Sequence, residues 1–295
     1  MEGLPPEIAE IIFRKLEPVD LLNTVMVSKR CFGVAARILP DLDSLKIAFK
    51  ADCPTRAEIQ SEKSVCLDVC QCGKHIDEQN VLEKLLPIIA NAANSLEVED
   101  ELVKTRVTDE QISRLFAFCS DAPLKRLALS RCDLINVRPW TLALLAKFDQ
   151  LEKLEIEDCT FSISESMLIR SLSTSFQTLT NIDMRDNKQI TDKFARTISR
   201  SCPNLEIFRF SGCPLISTFS VLSLIESTFF RIKHELTVHM DRTTFSADQL
   251  HKYMNSPLFA ASSEWRLCPA YVQLGYEKPA VLAEHRQQRC VLIYV

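Results

Sequence analysis

A nine-residue pattern, L-x-x-L-x-L-x-x-N/C, recurs four times in the middle of this 295-residue chain: Leu124 to Cys132, Leu151 to Cys159, Leu179 to Asn187 and Leu205 to Cys213. The starts lie 27, 28 and 26 residues apart. That period accommodates one short strand and one helix per unit, and units of this size bury their apolar faces only by stacking on their neighbours. Strand alternation sends positions four and six into the core and position five outward. At position nine the chain leaves the strand and turns inside the stack, where a compact Asn or Cys can meet backbone groups that no strand partner reaches.

Weaker copies without the leading Leu extend the period outward: Leu67, Val69 and Cys72; Leu96 and Val98; Leu236 and Val238; Trp265 and Leu267; Val291 and Ile293. Leu42, Leu45 and Ile47 fit as a first strand, for ten strands in all. Amphipathic stretches between them, such as Thr108 to Cys119 and Ile216 to Phe229, read as helices for the convex side. The run from Ile190-Thr191-Asp192 through Cys202-Pro203-Asn204-Leu205 to Cys213 resembles the cysteine-containing subclass of leucine-rich repeats. That resemblance implies an α/β solenoid over residues 41–295, with a parallel concave sheet and convex helices. A terminal strand leaves an edge open to pairing. Either Tyr276 to Arg289 folds over it, or the last strand is short and frayed.

Residues 4 to 39 break the period and read as three short helices. Pro5 and Pro6 suit a first helical turn, where no N–H is needed, and Leu4, Ile8, Ile12 and Leu16 follow at steps of four. Pro18 ends that helix, Asp20 caps a second through Leu21, Leu22 and Val25, and Ser28 a third through Cys31, Ala35 and Ile38. Twenty of these 36 residues are apolar. A segment this short rarely buries enough surface to fold alone, so part of its apolar face is expected to meet another protein.

Leu4-Pro5-Pro6-Glu7-Ile8, Ile12-Phe13, Leu16, Asp20-Leu21-Leu22 and Val27-Ser28-Lys29-Arg30 together resemble an F-box, here residues 1–40. The resemblance implies docking on the Skp-type adaptor of a cullin-RING ubiquitin ligase through Leu4, Pro5, Ile8, Ile12, Phe13, Leu16, Leu21, Val27 and Cys31. Cys31 stands where the family often has Trp, and its smaller side chain contributes less contact area. An F-box followed by leucine-rich repeats resembles the substrate receptors of SCF-type ligases, in which the repeats hold the client. The competing reading is a plain interaction scaffold or inhibitor whose N-terminal helices only cap the first repeat.

Composition removes other classes. The formal charge of −4 and a pI near 5.8 provide no cationic field for nucleic acid. Apolar runs such as Leu85 to Ala90 fall short of a membrane span, and the N-terminus reads as lacking a secretory signal, so a cytoplasmic or nuclear setting is expected. Five dispersed glycines, at 3, 33, 73, 212 and 275, exclude both common phosphate cradles, and no cofactor is expected. The twelve cysteines read as reduced, buried thiols.

Cys66, Cys70, Cys72 and His75 could suggest zinc, but the repeat register turns Cys72 inward and Cys66 and Cys70 outward, so no metal is expected. His234, His239 and His251 lie near one another in sequence, yet no nucleophile signature surrounds any Cys, and no catalytic residue is expected. Client contact is expected at position five, which reads Glu97, Ala128, Glu155, Asp183 and Arg209, with Glu99 and Glu157 at position seven. Like charges side by side at Glu155 and Asp183 destabilise a sheet, and a basic client would relieve them. Local pairing with Lys153, Arg185 and Arg209 is the competing account.

Overall fold

The computed structural model describes residues 4–16, 24, 28–38, 44–50, 57–61, 64–70, 95–99, 105–120, 122–227, 235–256, 265–270, 280–285 and 289–294. The chain forms two compact units, Met1–Phe148 and Asp149–Val295, both of mixed α/β structure with a largely parallel sheet.

In the first unit, helix α1 (Pro6–Phe13) begins on the expected prolines and α2 (Lys29–Ile38) begins after Ser28, whose hydroxyl accepts the Cys31 N–H at 3.1 Å. The helix expected from Asp20 lies outside the described residues, apart from Thr24. Strands β1 (Ser44–Lys50), β2 (Ala57–Ser61), β3 (Ser64–Cys70) and β4 (Ser95–Glu99) follow. After the short β5 (Thr105–Arg106) comes α3 (Asp109–Cys119). Thr108 and Gln111 close α3 reciprocally, each side chain accepting the other's backbone N–H at 3.2 and 2.7 Å. Strands β6 (Arg126–Ser130) and β7 (Cys132–Leu134) precede a short helix α4 (Pro139–Leu142).

The strand order of this unit corrects the expected stack. It runs β2-β3-β1-β4-β6, so β1 lies between β3 and β4. The segment of Leu67 and Val69 therefore does not separate that of Ile47 from that of Leu96. β2 is an added strand, antiparallel to β3, because two intervening residues permit a hairpin, whereas a parallel connection needs a crossover of a dozen or more.

The second unit alternates more regularly: β8 (Lys153–Glu157), β9 (Thr160–Phe161), α5 (Glu165–Leu172), β10 (Asn181–Asp183), α6 (Asp192–Ser201), β11 (Ile207–Arg209), α7 (Thr218–Ser227), β12 (Glu235–His239) and α8 (Ala247–Met254). Strands β8, β10, β11 and β12 are parallel neighbours. The chain then forms β13 (Trp265–Ala270), β14 (Ala280–His285) and β15 (Arg289–Tyr294), an antiparallel meander whose last strand pairs parallel with β12. Trp265 and Leu267 thus do not head a strand of the repeat. They lie on the outer strand of the meander, and β14, within the Tyr276–Arg289 stretch, covers the edge of β15.

Positions one, four, six and nine of the four strong windows are all buried. Position five departs from expectation, since Ala128 and Asp183 are buried as well. Position eight carries a recurring backbone device that the pattern does not specify. Arg131, Asp158, Asp186 and Gly212 all have left-handed φ between 47° and 76°, as does Arg242, which stands at position eight of the next repeat because Val238, expected at position six, pairs with Phe208 and so takes position four. There the chain turns out of the strand, and in the second unit the Asp158, Asp186 and Gly212 N–H groups donate to the Arg185, Ser211 and Asp241 carbonyls at 2.8–2.9 Å.

Position nine works as expected. Asn187 accepts the Cys159 N–H at 3.0 Å, and its amide donates to the Ile156, Met184 and Arg185 carbonyls. The Cys213 thiol donates to the Met184 carbonyl at 2.9 Å, and that of Cys132 to those of Val98 and Ser130. Cys132, Cys159 and Cys213 are buried free thiols.

Three helix starts, those of α3, α5 and α6, are tied to the segment of the next unit through an acid in the first turn. Asp109 accepts from the Arg138 amide and the Thr141 hydroxyl at 2.8 and 2.7 Å. Glu165 accepts from the Thr191 amide and hydroxyl. Asp192 accepts from Ser217 and Ser220. These side chains satisfy backbone donors that a loop between stacked helices would otherwise bury unpaired. No helix among the described residues is long and apolar enough to cross a membrane.

Candidate functional site

Helix α1 has two distinct faces. Ala9 and Phe13, four residues apart, turn inward, and Phe13 is 1% exposed. Ile8, Ile11 and Ile12, at the i, i+3 and i+4 positions of one outer face, are 44%, 54% and 38% exposed. Three neighbouring β-branched apolar side chains left in water on an eight-residue helix are a feature of interfaces rather than of a solvated face. Pro5 is exposed and Leu4 and Leu16 are half-buried beside them. The Arg30 guanidinium donates to the Leu4 carbonyl, which fixes the entry of α1 against α2.

The expected adaptor residues therefore divide. Leu4, Pro5, Ile8, Ile12 and Leu16 have exposed surface, whereas Phe13 and Cys31 are buried. Leu21 and Val27 lie outside the described residues. Ile11 belongs with the exposed group and was not among those expected, although the spacing Ile8-Ile11-Ile12 is a helical stripe legible in the sequence.

Of the position-five residues, Glu97 and Asp183 are held in close ion pairs. In the first unit Glu97 receives Lys46 Nζ at 3.3 Å and Arg126 Nη1 at 3.1 Å from the strands on either side. In the second, Asp183 is 4% exposed and takes Arg185 Nε at 2.9 Å on both oxygens and the Arg185 N–H at 3.2 Å. Arg185 also donates to Glu157 at 2.9 Å. Arg209 reaches Asp183 only at 3.8 Å. The Glu155–Asp183 juxtaposition expected from the repeat is real in register, and the Asp183 charge is taken up by Arg185. Asp183, buried against Arg185, therefore drops out of the expected acidic row.

Next to Arg209, in register on β12, His239 stacks on Tyr294 of β15 with centroids 4.8 Å apart and rings 11° from parallel. Burial, and then the Arg209 charge, hold His239 below its ordinary pKa against the opposing pull of Asp183 and Asp241. His251 bonds to the Asn255 amide on its own helix, and His234 lies outside the described residues. Cys72 and His75 also lie outside them. Among the described residues no group of three His, Cys, Asp or Glu side chains is arranged to hold a metal.

Residues 1–34 match the F-box domain, a span that contains α1, the start of α2 and the Ile8-Ile11-Ile12 face. No curated protein matches the chain.

Proposed function

We propose that this chain is the substrate-recognition subunit of an SCF-type cullin-RING ubiquitin ligase. Its F-box docks on a Skp-type adaptor carried by the cullin scaffold, and the following strand–helix units hold a client protein. The observation that carries the reading is the coincidence of the F-box match with the outward apolar face of α1. Burial of such a face on a partner contributes roughly 1 to 3 kcal/mol for each large side chain.

The strand–helix units are read as cysteine-containing leucine-rich repeats. This is supported by the 26–28-residue spacing, the parallel register and the buried Asn or Cys at position nine. The subunit is non-catalytic in this reading. It raises the effective concentration of the client at the ligase, in the cytoplasm or the nucleus.

Titration of the purified full chain with a Skp-type adaptor by calorimetry is the test. Binding to wild type, and its loss in Ile8→Ala/Ile12→Ala with unchanged thermal unfolding, is the expected result. A double variant that binds as tightly as wild type removes the assignment and leaves a scaffold whose helices merely cap the first unit.

A further inference from the structure

In the second unit the Arg209 guanidinium is engaged by its described neighbours only at long range. Arg209 carries five N–H donors, and its side chain is 34% exposed. Its ion-pair partner among the described residues is Asp183 at 3.8 Å, beyond hydrogen-bond reach. Asp183 is already occupied by the side chain and backbone of Arg185. On its other side Arg209 faces not an acid but the His239–Tyr294 stack, one strand spacing away in register. A half-exposed guanidinium with unfilled donors beside the edges of a stacked pair of rings is suited to an anionic group followed by an apolar one.

We infer that the client, in the ligase reading above on which this rests, presents an acidic segment: an Asp or Glu carboxylate on the Arg209 guanidinium, with a neighbouring apolar side chain laid against His239 and Tyr294. This reverses the charge expected from sequence, where Glu155 and Asp183 suggested a basic client. A carboxylate fits better than a phosphate. Asp183 lies 3.8 Å from Arg209 on the adjacent strand, and Arg185 is already committed to it and to Glu157, so a dianion would meet more repulsion than a carboxylate with only the Arg209 donors open to it.

The test uses the full chain with its adaptor, probed on an array of random-flank peptides whose central residue is fixed as Glu, Gln, phosphoserine or Lys. The Glu set should bind roughly tenfold more tightly than the Gln set, as expected for one charge-assisted pair. Arg209→Gln should abolish that preference and Lys193→Gln, on the helix layer, should preserve it. Arg209→Glu should turn the preference toward the Lys set, a gain that misfolding cannot mimic. Preference of the wild type for phosphoserine or Lys, or an undiminished Glu preference in Arg209→Gln, overturns the inference. Adaptor retained on the chain in the same sample reports separately on the F-box. If adaptor binds while the Glu preference is absent, this proposal fails and the ligase reading stands; if adaptor does not bind, the ligase reading fails, whichever peptide is chosen.

Discussion

The carboxylate of Asp186 lies across the bare Cα of Gly212 and reaches the Arg242 guanidinium, with Nη1 to Oδ1 at 3.2 Å. Three successive position-eight corners are thereby joined. A Cβ on Gly212 would stand 2.8 Å from Asp186 Cγ, and the φ of +76° is one that side chains rarely adopt.

Gly212→Ala is therefore expected to destabilise the chain by about 2 kcal/mol or more, part from the left-handed backbone and part from the displaced carboxylate. In an Asp186→Ala background only the backbone part should remain. Urea unfolding of the four species measures both. Equal costs in the two backgrounds would show that Asp186 does not contribute.

Phe13 and Ile12 are chain neighbours with opposite duties. Phe13→Ala should lower stability by about 3 kcal/mol, a core truncation, whereas Ile12→Ala should leave unfolding unchanged and weaken adaptor binding. Parallel melts and titrations separate the two effects. A stability loss in Ile12→Ala would place it in the core instead.

Burial pushes the Cys119 thiol up to about 12 and that of Cys213 up to about 11. Both thiols are therefore held in the unreactive protonated form at pH 8. Iodoacetamide should label both slowly in the native chain and rapidly in urea, as read by mass spectrometry of tryptic peptides. Fast native labelling at Cys213 would mean that the ladder around it opens.

Asn187 holds the Cys159 amide and three carbonyls in the interior. Asn187→Ala strands them without water, at a cost of roughly 1 to 3 kcal/mol for a buried unpaired group. Hydrogen exchange at the Cys159 N–H should accelerate at the same time, and an unchanged rate would show that another group protects it.

Burial alone would raise the Asp109 carboxyl, but the Thr141 hydroxyl, the Arg138 amide and the Arg138 charge outweigh it and hold its pKa below the ordinary 3.8. The associated stability is present above the unfolded-state pKa and is lost as pH falls from about 4 through the folded value. Asp109→Asn should lower stability at pH 7 and flatten the acid limb below about pH 4 in pH-dependent melts. An unaltered acid limb would assign the transition to other carboxylates.

Sequence alone determined what depends on local period and side-chain type. The L-x-x-L-x-L-x-x-N/C windows located the strong strands and buried Cys132, Cys159, Asn187 and Cys213, because alternation and a compact polar turn residue leave few other solutions. The prolines at 5 and 6 located α1, and its spacing contained the Ile8-Ile11-Ile12 stripe. Tertiary structure decided what depends on partners distant in the chain. The place of β1 between β3 and β4, and of β15 between β12 and β14, follows from loop lengths and edge pairing that no single strand encodes. The charges divide between the two: Arg185, two residues on, folds back over Asp183 in a local pairing that the sequence offered, whereas Arg209 remains undersatisfied because the next strand supplies His239. Residue type fixed the charges and their local pairs, but only the lateral register across strands determined what faces Arg209.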